Sequence, residues 1–292
     1  LQSKFMLFAV PQPADSQLKR IYTLLLQQHV SQFNEEVQQL VEPLTQATLD
    51  LFQNTQKQFL PTPKKSHYVF NLRDMSRVFV GLLESNTTYF DDRQAFIKLW
   101  VHESFRVFGD RLVDDTDRKT FFSLVSNQLT SAMATTWTTL FRDNMEPTSH
   151  VAFVQEGPTV PLKEYSEISE LRRLLEGFLE DYNETGNHVP MNLVMFEGAI
   201  QHTCRIIRIL GRPQGHGLLI GLGGSGRQSS TRLAAHILEM GFFRLTITRN
   251  YGDREFREDI KKLLDITAIE QKKTVFFVTD NDLLRDSFLE DI

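Results

Sequence analysis

The sequence predicts an α/β chain, a helical first half followed by the start of a parallel sheet with flanking helices. Three observations carry that prediction. Between residues 14 and 135 apolar side chains recur at helical spacing, and strand alternation is absent until after Phe141. From Gly217 onward short apolar runs alternate with helix-length segments, the pattern of parallel β-α-β units. At the first strand-to-helix junction of that second part stands a glycine-rich loop, of the kind that turns backbone N–H groups toward a phosphate.

Taken in order, residues 5–10 read as one buried strand that stops at Pro11-Gln12-Pro13. The run is too short for a signal peptide and lacks its basic start. Asp15-Ser16 can cap a helix over 18–30, and a second helical stretch runs over 34–56. A loop, Pro61-Thr62-Pro63-Lys64-Lys65, precedes a helix begun by Asn71 or Asp74 and carrying Met75, Val78, Phe79, Leu82 and Leu83. Helices over 91–109 and from Asp114 to about 135 follow. The acidic run Asp114-Asp115-Thr116-Asp117 suits a helix N-terminus, whose partial positive charge favours carboxylates, better than a metal site. Residues 143–162 are rich in Pro, Gly and polar types and mark a boundary. Helices are expected over 166–182 and 193–210, separated by the turn Gly186-Asn187-His188-Val189-Pro190. Then come strand 218–222, helix 227–240, strand 243–248, helix 254–269 and strand 274–279.

Length and composition bound the rest. At about 150 residues per domain, 292 residues allow two domains. Apolar types make up 41% and charged types 24%, and 23 Phe provide ample core material. A formal charge of −5 gives no support to a nucleic-acid coat, which needs a basic excess. Cys204 is the one cysteine, so an internal disulfide and a cysteine-based zinc site are both excluded. No run approaches the roughly 18 consecutive apolar residues of a membrane span. The first residue is Leu, so the chain is expected to begin inside a larger polypeptide. The sequons at Asn86 and Asn183 read as chance. The eight histidines show no metal-ligand spacing, and His202 and Cys204, two apart on a helix, fall on different faces.

The residues that carry chemistry begin at Gly221-Leu222-Gly223-Gly224-Ser225-Gly226-Arg227-Gln228-Ser229. Gly221 and Gly226 fit the phosphate-loop pattern G-x-x-x-x-G-K-[ST]. Arg227 takes the Lys position, keeping the charge on a planar fork. Gln228 takes the Ser/Thr position without the hydroxyl that binds magnesium, and Ser229 is one residue out of register. The match supports phosphate binding more than hydrolysis. Gly221, Gly223 and Gly226 also spell G-x-G-x-x-G, the dinucleotide fingerprint. That reading wants an acid about twenty residues on; Arg249-Asn250 stands there instead, so an NADP-dependent oxidoreductase, with Arg249 on the 2′-phosphate, is the alternative. A tight glycine turn with no ligand is the third reading. Val275-Phe276-Phe277-Val278-Thr279-Asp280 then resembles a Walker B strand, whose acid holds magnesium through water. The next position, where an acid activates the attacking water, is Asn281, and losing a general base typically costs about 10²–10⁴ in rate.

The loop, with Thr231-Arg232-Leu233-Ala234-Ala235-His236, resembles the fourth AAA+ module of axonemal-type dynein heavy chains. So do Met191-Asn192-Leu193-Val194-Met195-Phe196 with Arg205 and Arg208, Asn250-Tyr251-Gly252, and Ser287-Phe288-Leu289-Glu290-Asp291-Ile292. Phe70-Asn71-Leu72-Arg73-Asp74-Met75-Ser76-Arg77-Val78 and the stretch from Trp100 to Leu112 resemble the end of the third module. The resemblance covers essentially the whole chain.

It implies a helical AAA+ lid followed by a partial P-loop AAA+ parallel sheet. Residues 1–135 would be the last strand and lid of the third module, 136–165 a connecting segment, and 166–292 the fourth module from its start to Walker B. It further implies an ATP or ADP site formed by Gly221, Gly223, Gly224, Ser225, Gly226, Arg227, Gln228 and Ser229. Val189 and Pro190 would lie by the adenine, and Asp280 would hold Mg²⁺ through water. Arg73 takes the sensor-2 position toward the phosphates of the third module. The implied parent is an ATP-driven, minus-end-directed microtubule motor of the axoneme of cilia and flagella, with a cytoplasmic pool. The implied partners are the rest of the heavy-chain ring, intermediate and light chains and microtubules, with no nucleic acid and no membrane. In that family the first module does the main hydrolysis and the fourth is regulatory, which agrees with Arg227, Gln228 and Asn281. The resembled sheet order is 5-1-4-3-2, and strand 4, the central one, lies beyond this sequence. Alone, the chain is expected to expose unpaired strand edges at 5–10 and 218–222 and to aggregate.

Overall fold

The computed structural model describes every residue except 1–3, 5, 7, 10, 12, 142–151, 155, 156, 158–161, 166, 186–189 and 292. Two compact units result, residues 1–151 and 152–292.

The described part of the first unit is helical: α1 (Asp15–His29), α2 (Glu35–Gln38), α3 (Val41–Gln58), α4 (Leu72–Leu82), α5 (Thr87–Phe90), α6 (Arg93–Val107), α7 (Asp115–Met133) and α8 (Trp137–Leu140). Local chemistry explains where they start. Asn71 caps α4 by accepting from Arg73 N at 2.9 Å, and Asp92 caps α6 by accepting from Gln94 N and Ala95 N. Asn86, one of the two sequons, caps α5 through Thr88 N and Tyr89 N. Pro43 is tolerated in the first turn of α3, where no N–H is needed. Helix α1 starts differently from the expectation. Ala14 is its cap position, and Gln17 Oε1 reaches back to Ala14 N at 3.0 Å in place of an Asp15-Ser16 cap.

The core of this unit is aromatic. Phe59, Tyr68, Phe70, Phe105, Phe108 and Phe121 meet in tilted and edge-on pairs with centroids 5.1–6.5 Å apart. Trp100 is fully buried, and its indole N–H donates to Thr48 Oγ1 at 2.8 Å. The acidic run has a role the sequence reading missed. Asp114 makes no side-chain cap bond; Lys65 Nζ sits 2.6 Å from it and bonds Asp117 as well, tying the 61–65 loop to the start of α7. The expected strand over 5–10 falls partly outside the described residues. Met6, Phe8 and Ala9 belong to no strand, and Met6 and Phe8 are 98% and 85% exposed. A strand needs a hydrogen-bonded neighbour, and none of the described strands pairs with this stretch.

The second unit holds β1 (Ala152–Val154), β2 (Lys163–Tyr165), α9 (Ile168–Glu184), α10 (Glu197–Leu210), α11 (Arg227–Ile237), β3 (Gly241–Arg244), α12 (Asp253–Leu264), β4 (Thr274–Phe277) and α13 (Ser287–Asp291). Strands β1 and β2 form an antiparallel pair that the sequence reading did not foresee. Strands β3 and β4 pair in parallel, Gly241 opposite Thr274 through Arg244 opposite Phe277, as the strand–helix alternation predicts. One core joins α9, α10 and α11 through Leu171, Leu175, Ile200, Ile207, Leu233 and Ile237. A smaller one gathers Leu245, Tyr251, Phe256 and Phe288, the last two stacked at 4.2 Å.

The strand expected over 243–248 is β3 at Gly241–Arg244, and two further stretches differ from expectation. Helix α10 starts at Glu197, four residues late, and the segment leading to it is held by Asn183, which bonds both Met191 N (2.8 Å) and Met191 O (3.1 Å). Residues 218–222 are irregular rather than a strand. They have no ladder partner among the described residues, and Leu218, Ile220 and Leu222 are 87%, 87% and 86% exposed. An apolar run favours a strand only when a neighbouring strand satisfies its backbone.

Candidate functional site

The loop before α11 is built by glycine. Gly224 and Gly226 take φ of +80° and +76°, values that L side chains rarely adopt, and Gly226 is the N-terminal cap residue of α11. A Cβ at Gly223 or Gly224 would meet nothing within 4 Å, so this part of the loop faces open space. The first helical bond, Ser230 N to Gly226 O at 2.8 Å, leaves the N–H groups of the preceding turn directed out of the helix end. Backbone donors and the helix dipole converge there, and the loop fits the phosphates of a nucleotide.

The residues singled out from the sequence fall as follows. Gly221, Gly223, Gly224 and Ser225 are exposed, and Ser225 N donates to Leu222 O at 3.3 Å. Arg227 turns back on its own strand side: Nη2 donates to Leu222 O at 3.1 Å and Nη1 to Leu219 O at 3.4 Å. It therefore braces the irregular stretch before the loop. Ser229 is half-buried on α11. Pro190 is exposed, whereas Val189 lies outside the described residues. The segment after Pro190 runs to the loop, with Leu193 Cδ1 3.6 Å from where a Gly226 Cβ would stand. Asp280 and Asn281 are exposed just past β4. Asp282 is buried and accepts from Thr279 N (2.8 Å) and Thr279 Oγ1 (2.7 Å). Arg73 belongs to the first unit, exposed in the first turn of α4 next to buried Asp74, which Arg77 and Arg111 both pair.

The surroundings of Gln228 went unnoticed in the sequence. Its amide, oriented by its hydrogen bonds, accepts from Arg232 Nη2 at 2.9 Å and from Arg244 Nη1 at 3.1 Å. Arg244 Nη2 also lies 3.5 Å from Asp282 Oδ1, and the Arg232 guanidinium sits 5.2 Å over the Phe242 ring. A magnesium ion, which takes oxygen ligands, does not fit at an oxygen already shared by two cations. The packing that brings Arg244 beside the loop is not readable from one sequence; only the spacing of Arg232, four residues after Gln228 on a helix, hinted at the first contact.

Burial pushes the Cys204 thiol up to about 12, so it is a packing residue, and His202 beside it is exposed. Among the described residues no group of three or more His, Cys, Asp or Glu is placed to hold a metal ion, and no helix is long and apolar enough to cross a membrane.

Comparison with known proteins places both units. Residues 191–292 match the P-loop containing dynein motor region D4, and residues 23–118 match the ATPase lid domain of dynein heavy chains. Dynein axonemal heavy chain 2 of Homo sapiens and that of Mus musculus are each 40% identical over 292 residues, 100% of this chain. The Dynein-1-beta heavy chain of the flagellar inner arm I1 complex of Chlamydomonas reinhardtii is 38% identical over 294 aligned positions. The chain spans about 6% of the length of these relatives. With a lid match inside the helical unit and a D4 match inside the sheet-bearing one, the chain belongs to the axonemal dynein heavy chains and is a segment of their motor region.

Proposed function

We propose that the second unit binds ATP or ADP at a regulatory site of the fourth AAA+ module, with weak or no hydrolysis, within a motor that drives minus-end-directed movement in cilia. The observation that carries this reading is the loop itself: two glycines at positive φ at the start of α11, in a turn open to space at Gly223 and Gly224. The exposed amide of Asn281, where an activating acid would stand, supports the absence of efficient turnover, because an amide cannot accept the proton of an attacking water. Leu193 beside the loop, with Pro190 upstream of it, provides apolar surface for the adenine. The dinucleotide alternative has less support: Arg249 is exposed and the D4 match is to a P-loop motor region.

In the same reading the first unit is the lid of the third module, and Arg73 approaches the nucleotide that module holds. The rest of the heavy-chain ring is the immediate partner, and intermediate chains, light chains and microtubules are reached through the full complex. The working location is the axoneme.

Titration with a fluorescent ATP or ADP analogue tests the site. Saturable binding is expected, with no phosphate release, and Gly224→Val, which cannot hold φ of +80°, should abolish it. Arg227→Ala should weaken it by removing both a charge and the brace on Leu219 and Leu222. A cooperatively folded chain that binds neither nucleotide would reduce the loop to ring architecture.

A further inference from the structure

We propose that this site takes its nucleoside di- or triphosphate without a divalent cation, the guanidinium groups of Arg232 and Arg244 supplying the charge that a metal supplies elsewhere. The inference rests on the nucleotide-binding reading above and adds the ionic form of the ligand.

Three observations carry it. The residue that should offer a hydroxyl to magnesium is Gln228, and its one oxygen accepts from Arg232 Nη2 (2.9 Å) and Arg244 Nη1 (3.1 Å). A cation bound there would share an oxygen with two positive charges. Second, both guanidiniums are anchored from behind: Arg244 by Asp282, a buried carboxylate itself held by Thr279, and Arg232 by the face of Phe242. Anchoring fixes the charges beside the first turn of α11 before any ligand arrives, and a preorganised charge costs little reorganisation on binding. Third, Asp282 neutralises one of the two cations that meet at Gln228, which leaves about one net positive charge beside the first turn of α11. Planar guanidinium forks suit phosphate oxygens through paired N–H donors. Asp280, the remaining acid of the expected magnesium site, is exposed just past β4.

Anisotropy titration of the intact chain with a fluorescent ATP analogue, in excess EDTA and in excess Mg²⁺, tests this. The expected dissociation constants agree within about twofold. Tightening by about tenfold or more with Mg²⁺ would overturn the inference while leaving the nucleotide reading standing. Absence of binding in both solutions, from a chain that melts cooperatively, would overturn the nucleotide reading and this inference together. Arg244→Gln should weaken binding in EDTA by about tenfold, the loss expected for one charge-assisted contact. Gln228→Thr, which exchanges the shared amide oxygen for a hydroxyl, should make binding respond to Mg²⁺. An Arg244→Gln protein that folds and binds as tightly as the parent in EDTA would overturn the role assigned to Arg244.

Discussion

At the scale of single residues, contact geometry overrides the general preferences of residue types. Gly81 lies inside α4, where helix propensity alone favours alanine by about 1 kcal/mol. A Cβ there would stand 1.9 Å from Glu103 Oε2, and that carboxylate is fully buried and paired with Arg106 at 2.7 Å. Gly81→Ala is therefore expected to destabilise the first unit by about 1–3 kcal/mol, the usual cost of overpacking, and denaturant unfolding followed by Trp fluorescence will measure it. Cys204 gives a second prediction. With its thiol pushed up to about 12 by burial, it should resist thiol reagents at neutral pH in the folded chain and react stoichiometrically once denatured. Rapid labelling of the native chain would contradict the packing. That Arg227 braces the loop rather than reaching outward is a residue-scale fact invisible in the motif, since a pattern fixes an identity and not a direction.

At the scale of elements, short pieces are held by a few strong contacts. The five-residue helix α13 docks by stacking Phe288 on Phe256 at 4.2 Å, and by Asp253 at the start of α12 accepting from Ser287 Oγ at 2.6 Å and pairing with Arg285. Phe288→Ala should cost about 3–5 kcal/mol locally, visible as lost hydrogen-exchange protection over α12 and α13. The bonds from Ser287 and Arg285 hold the Asp253 carboxyl below its usual range. A lowered folded-state value means that its stabilisation is present above the ordinary carboxylate value and disappears as the pH falls through the lowered one. Asp253→Asn should thus lower the melting temperature at neutral pH, and its gap from the parent should close in acid. A gap that stayed constant with pH would rule out the linkage. Most helices were legible from periodicity and caps, as at Asn71. The β1–β2 pair was not, because three-residue strands carry too little pattern to distinguish them from loop.

At the scale of the whole molecule, the exposed stretch before the phosphate loop matters most. Leu218, Ile220 and Leu222 present alternating exposed apolar side chains with no ladder partner among the described residues, a template for association. The purified chain should self-associate at micromolar concentration, and Ile220→Lys should raise its monomeric fraction in size-exclusion chromatography with light scattering. A parent chain that stays monomeric would show that the stretch is protected in solution. The same exposure explains why this strand was legible as an apolar run yet does not form a strand. Its pairing is a property of a sheet, and β3 and β4 reach only each other among the described residues.

By itself the sequence determined the helical first half, the parallel strand–helix alternation of the second, the glycine loop and its departures at Arg227, Gln228 and Asn281. Those follow from periodicity and from residue chemistry at fixed spacing, which are local. Only the tertiary structure decided that Asn183 holds Met191, that Lys65 rather than a helix end claims Asp114, and that Arg244 and Asp282 meet beside Gln228. Those pairs are brought together by packing between elements distant in the chain, and a side chain's partner across such a gap depends on register and crossing geometry that no local pattern encodes.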